Sequence, residues 1–325
     1  MGGRAILVIY KDGKIIYQHS ANEMTRGQKA VGKWMARKKG VAASTDDYDL
    51  DTRLMIASCS KWLSAALVMT FVDEDKLSLN DTVGKFLPVL SRNGKGSITI
   101  SDCLSHLTGI KEPPLMQSLK DMKKIKSMDQ AMDYLASMPM EGKPGSVFHY
   151  SNAGLQIAGA ILEKISGKSF ETLFAERITG PLRMTNTDFG KGPLALPAGG
   201  ASSTPQDYIN FLSMILNKGM FEGKRILSER SIREMQVNRI SAETRIAYSP
   251  TEAGDFGYGY GEWIMESSPN GHITNAVTSP GLFGSFPWVD NDRKYCAFLV
   301  TFYLKNQGRN QRYKELKQLT DSQIR

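Results

Sequence analysis

Segments with strand character lie near the two ends of this 325-residue chain, and segments with helical character lie between them. Ala5-Ile6-Leu7-Val8-Ile9-Tyr10 is a buried-strand candidate with Lys14-Ile15-Ile16-Tyr17 as its partner. Asp12-Gly13 supplies the positive φ of a tight hairpin turn between them. In the last third, residues 257–264 alternate small or polar with aromatic side chains. Residues 283–289 and 295–303 read as two further strands turning at Asp290-Asn291-Asp292. Between the ends, residues 62–72, 102–106, 129–138, 153–165 and 170–178 carry helical patterning, and Gly167 stands where a helix-terminating glycine belongs. Thr204-Pro205-Gln206-Asp207 opens another helix, with a capping threonine, a proline at the first position and an acid in the first turn. Residues 21–50 are polar and poorly periodic and read as a surface excursion. Residues 311–319 read as a polar helix or tail.

That distribution predicts an α/β chain of the α+β kind: one antiparallel sheet formed from both chain ends, flanked by helices, with an inserted all-helical lobe. The expected organisation is a single unit, 1–325, with an α/β lobe of residues 1–61 and 198–325, a helical lobe of residues 62–197, and the site between them.

Composition narrows the classes. Hydrophobic residues at 41% and charged residues at 23% exclude a disordered, collagenous or disulfide-scaffold chain. A chain this long buries a sizeable core without staples. Cys59, Cys103 and Cys296 form neither a C-x-x-C pair nor a zinc spacing and read as buried small hydrophobes. No apolar run approaches the ~18 residues of a membrane span. The first 25 residues show no secretory signal pattern, which fits a chain retained in the cell or one trimmed of its leader, so the compartment is left open. The formal charge is +8. Six cations without an acid fall in residues 24–40 and a net four in residues 305–317, leaving the rest slightly acidic. The basic excess therefore reads as solvated surface, and no nucleic-acid partner is expected from it.

Three short segments carry chemistry. Ser58-x-x-Lys61 falls at a strand-to-helix junction, where positions i and i+3 share a face and a lysine can reach a serine hydroxyl. A lysine serves as a base there when burial depresses its pKa. Tyr150-Ser151-Asn152 precedes a helix, and a tyrosine beside that ammonium can move a proton. Ser279-Pro280-Gly281-Leu282 enters a strand, and its glycine lets a ligand or another backbone come close. Each alone is a common pattern; their order and spacing together are not.

With these motifs the chain resembles the serine β-lactamase-like, penicillin-recognising hydrolases, nearest the class C and family VIII esterase branch. Leu104-Ser105-His106-Leu107-Thr108-Gly109-Ile110, Pro144-Gly145 through Gly154, Gly180-Pro181-Leu182-Arg183-Met184, and Ala198-Gly199-Gly200 with Ser203-Thr204 all resemble segments of that family. The resemblance implies an acyl-enzyme on Ser58, with Lys61 and Tyr150 sharing the proton as a coupled pair. It implies Asn152 positioning Lys61 and the substrate, and an oxyanion hole from the main-chain N–H groups of Ser58 and Leu282. Ser279, Gly281 and His149 are expected at the substrate. His106 is expected to be structural, and His19 and His272 to lie on the surface. The family needs no metal or organic cofactor, and its members are often exported. The expected partner is a small-molecule ester or amide; the oligomeric state is not implied. In the family the third motif begins with Lys, His or Trp, whereas Ser279 offers only a neutral hydrogen bond. That departure tilts the expectation toward neutral carboxylic esters. β-Lactamase, D-Ala-D-Ala carboxypeptidase or D-amino-acid peptidase activity is the alternative. A non-catalytic binding protein on the same fold is a second alternative.

Overall fold

The computed structural model describes residues 3–38, 44–268, 274–303 and 307–324. Strands β1 (Arg4–Lys11), β2 (Lys14–Asn22), β3 (Gly257–Tyr258), β4 (Trp263–Ser267), β5 (Thr274–Thr278), β6 (Phe286–Asp290) and β7 (Tyr295–Thr301) form one seven-stranded sheet in the order β2-β1-β7-β6-β5-β4-β3. All of its pairings are antiparallel, and β1 lies against β7 from Ala5↔Thr301 to Lys11↔Tyr295. The two chain ends thus pair within one sheet, second and third from its β2 edge, as the placement of the strand segments implies. The β1–β2 turn has φ 49° at Asp12 and 82° at Gly13, the left-handed pair that the Asp-Gly sequence favours.

The main helices are α1 (Arg26–Lys38), α2 (Ser60–Asp73), α3 (Ile100–Leu104), α4 (Leu115–Met122), α5 (Met128–Ser137), α6 (Ala153–Ser166), α7 (Pro205–Leu216) and α8 (Arg309–Gln323). Every residue of β7 is buried because helices cover both faces of the sheet. On one face α7 stacks Tyr208 on Phe298 at 4.5 Å; on the other α8 stacks Tyr313 on Phe286 at 4.0 Å. α2 is buried from Ser60 to Phe71, so its Leu, Ala and Met side chains pack in every direction and it reads as a central helix rather than an amphipathic one. Cys59, Cys103 and Cys296 are buried free thiols.

Local structure departs from the sequence expectation in three places. The surface excursion contains α1, started by a reciprocal cap in which Thr25 Oγ1 accepts from Gln28 N–H (3.2 Å) and Gln28 Oε1 accepts from Thr25 N–H (2.8 Å). The alternating 257–264 segment is two short strands, because Gly261 turns the chain with φ 76°. The strand expected from residue 283 begins at Phe286, because Gly281 N–H donates to the Ser285 carbonyl (2.8 Å) and closes a loop before it. The segment 311–319, expected as a polar helix or tail, is a helix, α8, docked on the sheet. His19 is exposed as expected, and His272 lies outside the described residues.

α8 is fastened by a buried cation. Lys317 Nζ lies 2.8 Å from Asp290, 2.9 Å from Asp321 and 3.0 Å from Glu266. Burial works against its charge, but the bonds to Asp290 and Asp321 outweigh that and raise its pKa. Lys317→Met leaves the buried Asp290 carboxylate short of its main partner. We expect a loss of about 3 kcal/mol in urea unfolding.

Candidate active site

Ser58 is placed by a strained corner. Ala57 has φ 47°, costly for a residue with a Cβ, and a 3₁₀ turn over Ala57–Cys59 then feeds α2. The turn leaves Ser58 partly exposed and puts Lys61 one turn along, its side chain only 2% exposed. Lys61 Nζ lies 3.3 Å from Ser58 Oγ, 3.4 Å from Asn152 Oδ1 and 2.7 Å from the Ala198 carbonyl. It also sits 4.7 Å from the centroid of the Tyr150 ring. The Ser-x-x-Lys and Tyr-x-Asn segments, about 90 residues apart in sequence, therefore share one side-chain cluster.

Burial lowers Lys61 to about 7, against the opposing pull of Glu112 and Cys59. Burial drives Tyr150 the other way, well above an ordinary phenol, with hydrogen bonds to Ser58 and Trp263 acting to lower it. Near neutral pH the amine is partly deprotonated and the phenol keeps its proton.

Tyr150 is fixed by aromatic packing, with ring centroids at 4.6 Å to His106, 5.1 Å to Trp263 and 6.0 Å to Tyr258. His106 is buried and neutral, its pKa pushed well below 6.5 by burial. It meets the Tyr258 hydroxyl at 3.0 Å and accepts from Ser151 N–H at 3.4 Å. His106 thus braces Tyr150 from behind. His149 pairs through Nδ1 with Glu141 and faces the cleft beside Tyr248.

The third segment divides in its roles. Leu282 lines the cleft, whereas Ser279 is 1% exposed and its hydroxyl is turned to the carbonyls of Gly261 (3.1 Å) and Ser58 (3.2 Å). Ser279 is expected at the substrate, but its hydroxyl instead ties the loop to the nucleophile's turn. A Cβ on Gly281 would sit 2.4 Å from the Ile56 carbonyl, so only glycine lets this loop lie against the Ser58 turn.

Two residues here carry no local signal in the sequence. Glu112 is buried and accepts from Asn152 N–H with both oxygens, at 3.1 and 3.2 Å, fixing the start of α6 beside Lys61. Its single hint is that it is the only acid among residues 104–120. Arg309 donates to the Leu282 carbonyl (3.0 Å) and to Tyr303 (2.7 Å), anchoring the loop from α8.

Ser58 stands where two cavities meet, both also lined by Glu112, Leu115, Asn152 and Leu282. One, of about 580 Å³, is walled by Met55, Met116, Met122, Ile125, Leu135 and Leu194, with Lys120, Lys123 and Lys126 also on its wall. The other, of about 500 Å³, is walled by Lys111, His149, Tyr150, Tyr248 and Trp263. Both volumes suit a small organic ligand. Among the described residues no group of three or more His, Cys, Asp or Glu is arranged to hold a metal ion.

Comparison with known proteins places this geometry in context. A family model described as Beta-lactamase matches residues 4–321. An uncharacterized Mycobacterium tuberculosis protein is 25% identical over 293 residues, covering 73% of this chain and 72% of its own. A D-alanyl-D-alanine-carboxypeptidase/endopeptidase of Escherichia coli is 26% identical over 198 residues, covering 53% of this chain and 51% of its own. The crystal structure of a family VIII carboxylesterase superposes with a TM-score of 0.72 at 18% identity, covering 94% of this chain and 88% of that one.

Proposed function

The chain belongs to the Beta-lactamase family, a fold family of hydrolases that includes esterases, carboxypeptidases and penicillin-binding-protein homologues, and within it we propose a serine hydrolase of small, uncharged carboxylic esters. The observation that carries this reading is the buried Lys61 amine 3.3 Å from the Ser58 hydroxyl, with its pKa lowered to about 7. A neutral amine there accepts the serine proton as Oγ bonds to the ester carbonyl carbon. The carbonyl π electrons move to oxygen, which the N–H groups of Ser58 and Leu282 receive. Collapse of that adduct breaks the bond to the alcohol, which leaves with a proton supplied through Tyr150 and replaced from Lys61. Water then attacks the acyl-enzyme with the same pair accepting and returning the proton, which frees the acid and restores Ser58. Asn152 holds Lys61 through Oδ1. The site is read as lying between the sheet lobe and the inserted helical lobe.

The preference for neutral esters rests on two features. The larger of the two cavities is walled mostly by Met, Leu and Ile side chains that suit an aliphatic acyl chain, with Lys120, Lys123 and Lys126 also on its wall, and the Tyr- and Trp-lined cavity suits the alcohol. No cation stands at the start of the third segment, where Ser279 faces backbone. A second reading is favoured by Lys111 on the wall of the second cavity, a cation able to meet the carboxylate of a β-lactam or D-amino-acid peptide. Turnover of p-nitrophenyl butyrate against nitrocefin separates the two. Esterase turnover with negligible nitrocefin hydrolysis supports the first reading, and the reverse ranking replaces it with the second.

Gly281→Ala tests the oxyanion assignment. Its Cβ would force the Leu282 N–H away from the Ser58 turn. We expect kcat on p-nitrophenyl butyrate to fall by about 10²–10³-fold with KM little changed.

A further inference from the structure

α1 is an anomaly in this molecule. Arg26, Lys29, Lys33, Arg37 and Lys38 give it five cations, and it carries no acid. The first four follow i, i+3, i+7, i+11 spacing and form one stripe along the helix. Val31 and Trp34, i and i+3 on another flank, are 57% and 59% exposed. The helix is capped and regular, yet Val31 and Trp34 stand in solvent, unlike the apolar residues of α2, which is buried from Ser60 to Phe71. The Lys38 ammonium lies 4.8 Å from the Trp34 ring centroid, a cation over an aromatic face.

We infer that α1 is a docking helix for an anionic lipid surface, along which it lies with Val31 and Trp34 inserted at the headgroup boundary and its lysines and arginines among the phosphates. The charge argues for this occupant. Five cations with no acid complement a surface of anionic headgroups, and a tryptophan on the apolar flank suits the interface between headgroups and chains. A second copy of this chain is disfavoured, since pairing α1 on α1 would set ten cations against each other. A nucleic-acid duplex, its bases stacked inside, would use the cations and leave Val31 and Trp34 without a role. No described helix is long and apolar enough to cross a membrane, so such docking is peripheral and reversible.

The remaining tryptophans make a clean readout, because Trp62, Trp263 and Trp288 are at most 2% exposed. Adding vesicles of phosphatidylcholine with about one-third phosphatidylglycerol should shift the tryptophan emission to the blue and carry the protein upward in flotation. Pure phosphatidylcholine vesicles should do neither. Salt at about 0.5 M should reverse the binding. Trp34→Ser and the double variant Lys29→Glu/Lys33→Glu should each weaken flotation about tenfold or more, with melting temperature and ester turnover unchanged. The inference is overturned if the wild-type chain fails to float with anionic vesicles or if the double variant floats as well as wild type. It is equally overturned if duplex DNA or RNA binds more tightly than the vesicles, or if sedimentation shows a dimer that Trp34→Ser dissolves.

Discussion

Ser58→Ala is expected to lower turnover of p-nitrophenyl butyrate by at least about 10³-fold while leaving the melting temperature nearly unchanged. The catalytic loss follows from removing the one oxygen that Lys61 Nζ and Tyr150 both approach. The small structural effect follows from where the hydroxyl is. α2 takes Cys59 as its cap residue without any side-chain cap bond, so Ser58 Oγ satisfies no helix N–H. Its loss costs the partly exposed hydrogen bonds to Lys61 and Tyr150, roughly 1 kcal/mol in all because the Lys61 ammonium keeps its bond to the Ala198 carbonyl. A thermal melt beside the activity assay separates a catalytic from a structural role. Loss of folding in Ser58→Ala would assign this serine to the scaffold.

The second large effect concerns Lys61, where activity and stability should move in opposite directions. Lys61→Met should reduce turnover by a similar factor, because Tyr150, the other group at the Ser58 hydroxyl, keeps its own proton near neutral pH and cannot take the serine's. In the wild type, kcat/KM should rise with pH through about 7 as the amine loses its proton, and this rise should vanish in the variant. For stability the sign is as follows. The folded state holds Lys61 at about 7 and the unfolded chain at its ordinary 10.5, so the unfolded state binds more protons between those values. Stability therefore rises with pH across that window, and the penalty of burying the lysine is full below about pH 7 and gone above about 10.5. Lys61→Met removes a penalty of several kcal/mol, less what is lost with the bond to Ala198. It should raise the melting temperature at pH 6–7, and the gain should shrink as pH approaches 10. A variant less stable than wild type at pH 6 would contradict the burial argument. Together the two substitutions describe a site that gives up stability to keep a usable base.

How much of this was legible in the sequence depends on the range of the interaction. The Asp12-Gly13 hairpin, the Ser58-x-x-Lys61 pair and the helix opened by Thr204-Pro205 rest on neighbours within four residues, and each is where local chemistry puts it. The meeting of both chain ends in one sheet was legible too, because an antiparallel sheet needs its strand segments wherever they fall in the chain. Contacts across long separations were not. Glu112 under Asn152, Arg309 on Leu282 and His106 behind Tyr150 join residues 27 to 44 positions apart, and no spacing announces them. Ser279 marks the boundary between the two: its position in the third segment could be read, but the direction of its hydroxyl could not. α1 is a different case. Its cap, Thr25-x-x-Gln28, and its stripe of cations were present in the sequence, but with so few apolar residues no core-facing stripe marks the segment as a helix.

The measurement that bears most directly on the central claim is intact-mass analysis after exposure to a fluorophosphonate probe, followed by peptide mapping, with Ser58→Ala in parallel. The account predicts one covalent adduct per chain, on Ser58, formed faster as pH rises through about 7 and absent from the variant. A wild-type chain that stays unmodified and turns over neither p-nitrophenyl butyrate nor nitrocefin, or an adduct that persists in Ser58→Ala, would contradict it.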